Sequence, residues 1–434
     1  MKTLSKGTEY RFQSFRPVVV TGIGIISTAG NSAPEFEQSL RDGRSGIGYL
    51  EGFTFPDGQP CIGAEVIEER LYDVFRQYDQ TLFRRAGRLF KISGKSIKAS
   101  ALAGAEAWLQ AGMDRNELSE DRIGIVVAGN NISPAVSYNA MQECRNDLEL
   151  VHPRYALSYM DTNQLGVLSE LFGIKGEGVT VGGASASGNA AILKATQMIQ
   201  LGIVDACMVI GAMAELSPLE LQGFINIGAY GGRSFRDAPG KACRPFDKDH
   251  EGFIFGQASC CLILEGADSA SARQADVLAT VAGGAACLDG HSLSDPNEDG
   301  QVRTMEKAIR TAGIHASSID YINAHGTSTP LGDLTELRSI GRVFGGYLSD
   351  VVINSTKAIT GHCLYAAGVV EAAATIIQLK AGFLHPQINL DIPVSREHCF
   401  AAGKMEPANF TYGLSNSYGF GGINTSVIFK KGEC

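Results

Sequence analysis

Short apolar runs alternate along the chain with longer segments in which apolar residues recur every three or four positions. Apolar runs bounded by glycine or polar turns are typical of strands buried on both faces, whereas the wider spacing predicts helices. In the first part of the chain the pattern predicts strands at 17–21, 123–128, 179–181 and 206–212, and helices at 34–41, 89–109 and 189–201. This alternation indicates an α/β protein with helices on both faces of its sheet.

The same order of elements returns in the second part of the chain. There the pattern predicts strands at 320–325 and 351–354, each followed by a glycine-containing bend, and then an alanine-rich helix at 365–379. No linker rich in proline or serine separates the two parts. We therefore expect one body built from two similar halves, residues 1–268 and 269–434.

The composition is that of an ordinary soluble globular protein, with 44% hydrophobic and 19% charged residues. No stretch has the roughly 18–20 uninterrupted apolar residues of a membrane span, and the polar N-terminus lacks the apolar core of a signal peptide. The ten cysteines are scattered without a C-x-x-C pair, which is typical of a reduced, cytoplasmic protein and not of a zinc site. The net charge of −9 argues against nucleic acid or an anionic membrane as a partner.

One segment differs from the acidic balance of the chain, because all of its charged residues are basic. They are Arg84, Arg85, Arg88, Lys91, Lys95 and Lys98. A solvated helix face explains such a run as well as a binding surface does. The functional alternative is a docking patch for an acidic protein partner.

A cluster of small residues follows the predicted strand at 179–181 and leads directly into a helix. A strand that enters a helix through a tight bend places the bend residue over the helix N-terminus, where free N–H groups and the helix dipole favour negative charge. Ser185 lies at this bend. It either caps the helix, which is the common role of such a serine, or takes part in chemistry there.

Three loops in the second half carry the most specific motifs: His325-Gly-Thr-Ser-Thr-Pro-Leu-Gly-Asp, Ser355-Thr-Lys-Ala-Ile-Thr-Gly-His and Asn416-Ser-Tyr-Gly-Phe-Gly-Gly-Ile-Asn. Together with Cys243-Arg-Pro-Phe-Asp-Lys-Asp and the bend at 184–188, they stand in the order found in β-ketoacyl–acyl-carrier-protein synthases. From residue 17 to residue 429 the chain resembles this family of the thiolase superfamily, which includes the polyketide ketosynthases. The resemblance implies the thiolase fold, an α/β fold with two pseudo-duplicated halves in a five-layer αβαβα arrangement.

The resemblance also implies a catalytic set. His325 and His362 resemble the family's two active-site histidines, which hold the thioester carbonyl and drive decarboxylation of malonyl. Lys357 resembles the lysine upstream of the second histidine, and Glu336 resembles the buried acidic partner of that lysine. Imidazole N–H groups and backbone amides aimed at one oxygen stabilise an enolate, and such stabilisation is often the largest catalytic term.

Substrate binding is implied in the same way. Thr327 and Thr329 match threonines that hydrogen-bond the phosphopantetheine arm of an acyl carrier protein. Phe420 resembles the gating phenylalanine, whose backbone N–H joins that of the bend residue in an oxyanion hole. No metal and no permanently bound cofactor are expected, because the substrate arrives on the carrier protein's phosphopantetheine. Members of the family are usually homodimers that pair through the strand before the bend.

Ser185 is the main departure from the family, whose nucleophilic cysteine stands at this position. A thiol has a pKa of roughly 8.5, which a helix N-terminus lowers, but a dipole effect of about 1 kcal/mol cannot ionise a serine hydroxyl. Acyl loading, the first half of condensation, should therefore fail, whereas decarboxylation needs no covalent nucleophile. Smaller departures are expected to change the pocket's shape; they are Gly183, Gln257, Ala258 and Ile423.

Three hypotheses follow. The first is a stand-alone decarboxylase that converts malonyl-acyl carrier protein (or the methylmalonyl form) to acetyl-acyl carrier protein (or propionyl), like the serine-bearing ketosynthase-like decarboxylases of polyketide β-branching cassettes. The second is a non-catalytic partner of an active ketosynthase, like the chain-length factors. The third is an acyltransferase or slow condensing enzyme that acylates Ser185. Retention of His325, His362 and Lys357 together favours the first hypothesis.

Overall fold

The computed structural model describes residues 15–76, 87–115, 117–291 and 293–432. Its strands are β1 (Val18–Ser27), β2 (Gly48–Thr54), β3 (Pro60–Gly63), β4 (Ile123–Ala128), β5 (Gly178–Val181), β6 (Ala206–Gly211), β7 (Ala258–Gly266), β8 (Ala279–Leu288), β9 (Tyr321–Asn323), β10 (Val352–Asn354), β11 (Phe383–Leu384), β12 (Cys399–Phe400), β13 (Glu406–Pro407), β14 (Tyr412–Gly419) and β15 (Ile423–Lys431). Its α-helices are α1 (Ala33–Asp42), α2 (Glu68–Phe75), α3 (Lys95–Gln110), α4 (Pro134–Glu143), α5 (Tyr155–Ser158), α6 (Thr162–Phe172), α7 (Ser187–Gln200), α8 (Pro218–Asn226), α9 (Ala267–Ala272), α10 (Glu298–Ala312), α11 (Pro330–Phe344), α12 (Lys357–Thr360) and α13 (Ala367–Ala381).

Eleven strands form one mixed sheet in the order β12-β10-β9-β14-β15-β8-β1-β7-β6-β4-β5. The strands from β1 to β5 in this order form the N-terminal half-sheet, and those from β12 to β8 form the C-terminal half-sheet. The two half-sheets meet where β1 pairs with β8, and this pairing involves Val19 with Thr280 and Val20 with Ala279. The predicted repetition of strands in the two parts of the chain thus gives two half-sheets joined by a short seam.

Helices α7 and α13 form a middle layer, because each packs against strands of both half-sheets. Alternate residues of β1, β4, β6 and β7 face this layer, and the residues between them face α3 on the outer side. On the other side of the molecule, α10 and α11 cover the outer face of the C-terminal half-sheet. These five layers have the αβαβα order that the family resemblance implies, so the fold prediction is confirmed.

The middle layer also explains the most apolar helical stretch. Leu364–Ala381 is long and apolar enough to cross a membrane by length and composition, but 83% of it is buried inside the fold. A helix packed between two sheets must be apolar on nearly all sides. Its hydropathy therefore reflects its position in the core.

The two middle helices cross at a pair of glycines. A Cβ on Gly188 would lie 2.6 Å from the backbone N of Val369, and a Cβ on Gly368 would lie 2.5 Å from the backbone N of Asn189. Both distances are far shorter than a van der Waals contact, so only glycine allows the backbones to approach so closely. This crossing brings the bend that precedes α7 next to the loop that precedes α13.

The end predicted for the first strand is wrong. The strand continues through Gly22 and Gly24 to Ser27, and it is buried throughout. A Cβ on Gly24 would collide with the backbone O of Ala103 in α3. The two glycines therefore permit close packing of a helix on the strand, and they do not mark a turn.

The prediction of one continuous helix at 89–109 is also wrong, because the helix is interrupted. Residues 87–92 are helical, Gly94 is extended, and α3 begins at Lys95. Within α3, Lys98 is only 5% exposed and pairs with Glu68 at 2.6 Å. Lys98 is therefore a buried ion-pair member and not part of a basic surface.

Candidate active site

Ser185 lies in a single 3₁₀ turn between β5 and α7. Ala184 has a φ of 47°, in the left-handed region that residues other than glycine rarely adopt, and Ser187 Oγ donates to its carbonyl at 2.7 Å. The end of β14 packs against this turn so closely that a Cβ on Gly419 would collide with the O of Gly183. The predicted strand–bend–helix is thus present, and the bend directs the half-buried Ser185 toward a cavity.

His325 follows β9 almost directly and is held by Lys357. Lys357 Nζ donates to the backbone O of His325 at 2.6 Å and lies 3.3 Å from its Nδ1. An ammonium group has no lone pair to offer, so Nδ1 is the acceptor in this contact and the ring proton is on Nε2. This tautomer leaves the Nε2–H of His325 to donate into the cavity that the ring lines.

Lys357 forms its ion pair with Glu371 in α13, so the prediction that Glu336 is its partner is wrong. The side chains of Lys357 and Glu371 are 1% and 2% exposed. Glu336 instead accepts hydrogen bonds from the backbone N–H groups of His325 at 2.8 Å and Gly326 at 2.7 Å, so it fixes the backbone that carries the histidine. Sequence reasoning missed Glu371, although a single acid within an alanine-rich helix was a usable signal.

His362 meets Ser185 directly, since its Nε2 lies 2.8 Å from Ser185 Oγ. Its backbone N–H donates to the O of Ile254 at 2.7 Å, and its own O accepts from the N–H of Gly256 at 3.0 Å. The rings of His325 and His362 are perpendicular, with centroids 5.5 Å apart. Among the described residues, Nδ1 of His362 is buried and has no hydrogen-bond partner.

Both histidines are neutral near physiological pH. Burial lowers the pKa of His325 well below its usual value of 6.5, and the nearby charge of Lys357 lowers it further. Burial followed by the charge of Lys357 lowers the pKa of His362 in the same direction. A neutral imidazole carries one N–H, and it serves as a hydrogen-bond donor without adding charge to the site.

Ser185, His325 and His362 line a cavity of about 500 Å³. The hydroxyls of Thr327 and Thr329 line it and lie 2.8 Å apart. Phe420 also lines it, is 44% exposed, and stacks on Phe224 with ring centroids 6.4 Å apart. The acids among the described lining residues are Asp289 and Asp295. Within the described ranges, no group of three or more His, Cys, Asp or Glu side chains is placed to hold a metal.

The structure thus brings the predicted site residues together. Those that line the cavity are Ser185, His325, His362, Thr327, Thr329 and Phe420, with Lys357 and Glu336 behind His325. The smaller departures from the family, Gly183, Gln257, Ala258 and Ile423, are not among the described lining residues, so any effect on the shape of the pocket is indirect and stays a prediction. Gln257 instead accepts hydrogen bonds from Lys95 Nζ at 2.9 Å and Val66 N at 3.1 Å.

The fold is that of the ketosynthases. A solved ketosynthase in complex with its type II polyketide synthase acyl carrier protein, AntDE:AntF, matches with a TM-score of 0.84 at 23% identity, over 96% of this chain and 100% of that chain. This likeness shows the thiolase fold of the ketosynthases.

Sequence comparison gives the family. The polyketide biosynthesis malonyl-ACP decarboxylase PksF of Bacillus subtilis is 34% identical over 96% of this chain and 97% of its own length. The 3-oxoacyl-[acyl-carrier-protein] synthase 2 of Synechocystis is also 34% identical, over 95% of this chain and 98% of its own length. The N-terminal and C-terminal domain models of beta-ketoacyl synthase match residues 15–270 and 278–391. The chain belongs to the β-ketoacyl synthase family.

Proposed function

We propose that this protein removes carbon dioxide from malonyl-acyl carrier protein and releases acetyl-acyl carrier protein, without condensation. One observation carries the proposal: the neutral imidazoles of His325 and His362 meet beside the hydroxyl of Ser185, where the family resemblance implies a nucleophilic thiol. Decarboxylation uses the imidazoles alone, whereas condensation also needs the thiol. The acetyl product suits polyketide β-branching, and a methylmalonyl substrate would give propionyl.

In this reaction the phosphopantetheine arm enters the cavity and its thioester oxygen binds at the Nε2–H groups of His325 and His362. The bond from the α-carbon to the carboxylate breaks, carbon dioxide leaves, and the electron pair moves into an enolate. Preorganised donors aimed at such a developing oxyanion each supply about 3–4 kcal/mol. Lys357 supports this role because it keeps the proton of His325 on the nitrogen that faces the substrate.

A serine within 2.8 Å of a histidine is also the arrangement of a serine nucleophile and its base. Two features of His362 oppose that role here. Burial and the charge of Lys357 lower its pKa, which disfavours the imidazolium that a base must become. Its Nδ1 has no acceptor among the described residues, whereas a catalytic triad places a carboxylate there. These features support a Ser185 that is a poor acyl acceptor.

The relatives support a decarboxylase only in combination with the site. One relative named as a malonyl-ACP decarboxylase and one named as a 3-oxoacyl synthase have the same identity to this chain. Percentage identity therefore does not separate the two activities. The proposal separates them by the residue at position 185, because the family resemblance implies that a thiol there accepts the acyl group.

The proposal is tested by incubating the purified protein with malonyl-acyl carrier protein and measuring the intact mass of both proteins. We expect the carrier to lose the mass of carbon dioxide while the enzyme stays unmodified. An unchanged carrier would favour the non-catalytic partner, and an acyl group on the enzyme would favour an acyltransferase or slow condensing enzyme.

The acyl carrier protein is the partner that this reaction requires. Two residues of the predicted docking patch, Arg84 and Arg85, lie outside the described residues. Arg88 and Lys91 lie in the helical segment 87–92 and are exposed. Exposed basic side chains suit an acidic carrier protein, so we retain Arg88 and Lys91 as proposed docking residues.

A homodimer is proposed on the basis of β5, the strand before the bend. It is the last strand of the N-terminal half-sheet and pairs with β4 on one side. Its residues are only half-buried or exposed. Its other edge has no strand partner within the described part of the chain, and such a partly exposed edge is a site for strand pairing with a second copy.

A further inference from the structure

We infer that the hydroxyl of Ser185 donates the proton that converts the enolate into the acetyl group. The inference rests on the proposed decarboxylation and assigns a catalytic acid to it. Ser185 would then have a catalytic role in addition to preventing acylation. A hydroxyl is able to donate a proton because it stays protonated at neutral pH, whereas an activated thiol is largely ionised and has no proton to give.

The hydrogen bonds of the site leave the hydroxyl proton of Ser185 available. Either atom is able to donate in the 2.8 Å contact between Ser185 Oγ and His362 Nε2. Nδ1 of His362 is buried and has no partner within the described part of the chain. Buried N–H groups without an acceptor are rarer than unsatisfied acceptors, so the ring proton is on Nε2 and donates to Oγ. Oγ is then the acceptor, and its own proton is directed to another group.

The hydroxyl proton of Ser185 lies close to the α-carbon of the enolate, which is the atom that gains a proton. The enolate oxygen binds at Nε2 of His362, and the α-carbon is two bonds from this oxygen. Ser185 Oγ is itself within hydrogen-bond distance of the same Nε2, so the α-carbon lies within reach of the hydroxyl. The other hydroxyls among the described lining residues are those of Thr327, Thr329, Ser294, Tyr365 and Tyr418. Thr327 and Thr329 are hydrogen-bonded to each other, and Ser294 Oγ donates to Asp295 Oδ1 at 3.1 Å. The hydroxyl oxygen of Tyr418 is itself buried.

The step balances as follows. The enolate electron pair forms the new C–H bond with the Ser185 proton, the O–H bond breaks, and the thioester carbonyl is restored. The negative charge moves from the enolate oxygen to Oγ, where the Nε2–H of His362 and the N-terminus of α7 stabilise it. A proton from water then restores the hydroxyl. One N–H thus stabilises both oxygens in turn, since both lie within its reach.

The test measures how strongly the donor of the new hydrogen discriminates between protium and deuterium, because the Ser185 hydroxyl exchanges its own proton with water. Malonyl-acyl carrier protein is decarboxylated in an equal mixture of H₂O and D₂O by the wild type and by Ser185→Ala, Ser185→Gly and Ser185→Thr. Mass spectrometry gives the deuterium content of the acetyl group, and unreacted malonyl reports any exchange that occurs without reaction. Carbon dioxide release is measured in parallel.

We expect the deuterium content to shift in Ser185→Ala and Ser185→Gly, because water becomes the donor and transfers protium and deuterium in a different ratio from the hydroxyl. The content should return to the wild-type value in Ser185→Thr, which keeps a hydroxyl. The glycine variant decides the matter if the alanine variant does not fold. Equal deuterium content in the wild type and in the variants without a hydroxyl would overturn the inference and leave the decarboxylase proposal intact. A wild type that releases no carbon dioxide would overturn the proposed function itself.

Discussion

Lys357 Nζ lies 3.3 Å from Nδ1 of His325 and forms an ion pair with Glu371 on its other side. A buried charge pair therefore sets the tautomer of the histidine. Such charges persist in a core only together, because removal of one partner leaves an unpaired charge that costs about 3–5 kcal/mol. The proposed chemistry thus depends on two charged side chains that lie behind the cavity wall.

The first prediction concerns the two imidazole donors. Replacing His325 or His362 by alanine should reduce carbon dioxide release about 10²–10³-fold, because each variant loses one donor to the enolate oxygen. His315→Ala is the matched control, since this histidine is exposed. Single-turnover assays with malonyl-acyl carrier protein measure the effect. Rates close to wild type in both site variants would contradict enolate stabilisation by these groups.

The second prediction concerns pH. Because burial and Lys357 hold the pKa values of His325 and His362 well below 6.5, kcat/KM should not decline at 6.5 as the pH is lowered. The double variant Lys357→Met/Glu371→Gln removes the positive charge without leaving a buried carboxylate unpaired. Both histidine pKa values should then rise, and the acid decline should move to higher pH. Identical pH profiles for the wild type and the double variant would argue against control by Lys357.

The third prediction concerns the crossing of α7 and α13. Gly188→Ala should lower the free energy of unfolding by about 1–3 kcal/mol, because the added Cβ would force the two backbones apart. Gly166→Ala is the control: this glycine is inside α6 and no atom would lie within 4 Å of its Cβ. That variant should be neutral or stabilised by up to about 1 kcal/mol. Denaturant unfolding measures the free energy of unfolding of both variants. Equal decreases in this free energy would show that the helix crossing does not require glycine at position 188.

The fourth prediction concerns carrier docking. The variant Arg88→Glu/Lys91→Glu should raise KM for malonyl-acyl carrier protein several-fold and leave KM for malonyl-pantetheine unchanged, because only the carrier contacts the basic surface. Lys307→Glu/Lys404→Glu, at two other exposed lysines, is the control because it makes the same change in net charge. Added salt should raise the KM for malonyl-acyl carrier protein more in the wild type than in the double variant, because salt screens the charges of the basic surface. An equal rise in KM for both substrates would place the effect inside the cavity.

The fold was largely predictable because buried strands have a local signature. Continuous apolar runs located β4 and β6, which are buried along their whole length. The end of β1 was misjudged because Gly22 and Gly24 are usually turn residues, and their close packing on α3 involves residues about 80 positions away. A local pattern carries no information about such a contact.

The site shows the same limit. Ser185 and His362 are 177 positions apart, and only the family resemblance brought them together before the structure did. The family resemblance implied Glu336 as the partner of Lys357, whereas the ion pair is made with Glu371. Lys98 was grouped with a basic surface because charge alone does not reveal which side of a helix is buried.

Ser185 follows a strand of the N-terminal half-sheet and His325 follows a strand of the C-terminal half-sheet, while the direct pairing of the half-sheets is short. The distance between the Ser185 hydroxyl and the histidine imidazoles is therefore set by how α7 and α13 pack against each other. A shift of one helix along the other would move the Ser185 hydroxyl away from the His362 imidazole while every strand and helix stayed intact. On gentle heating or in dilute denaturant, turnover should disappear before circular dichroism registers any change.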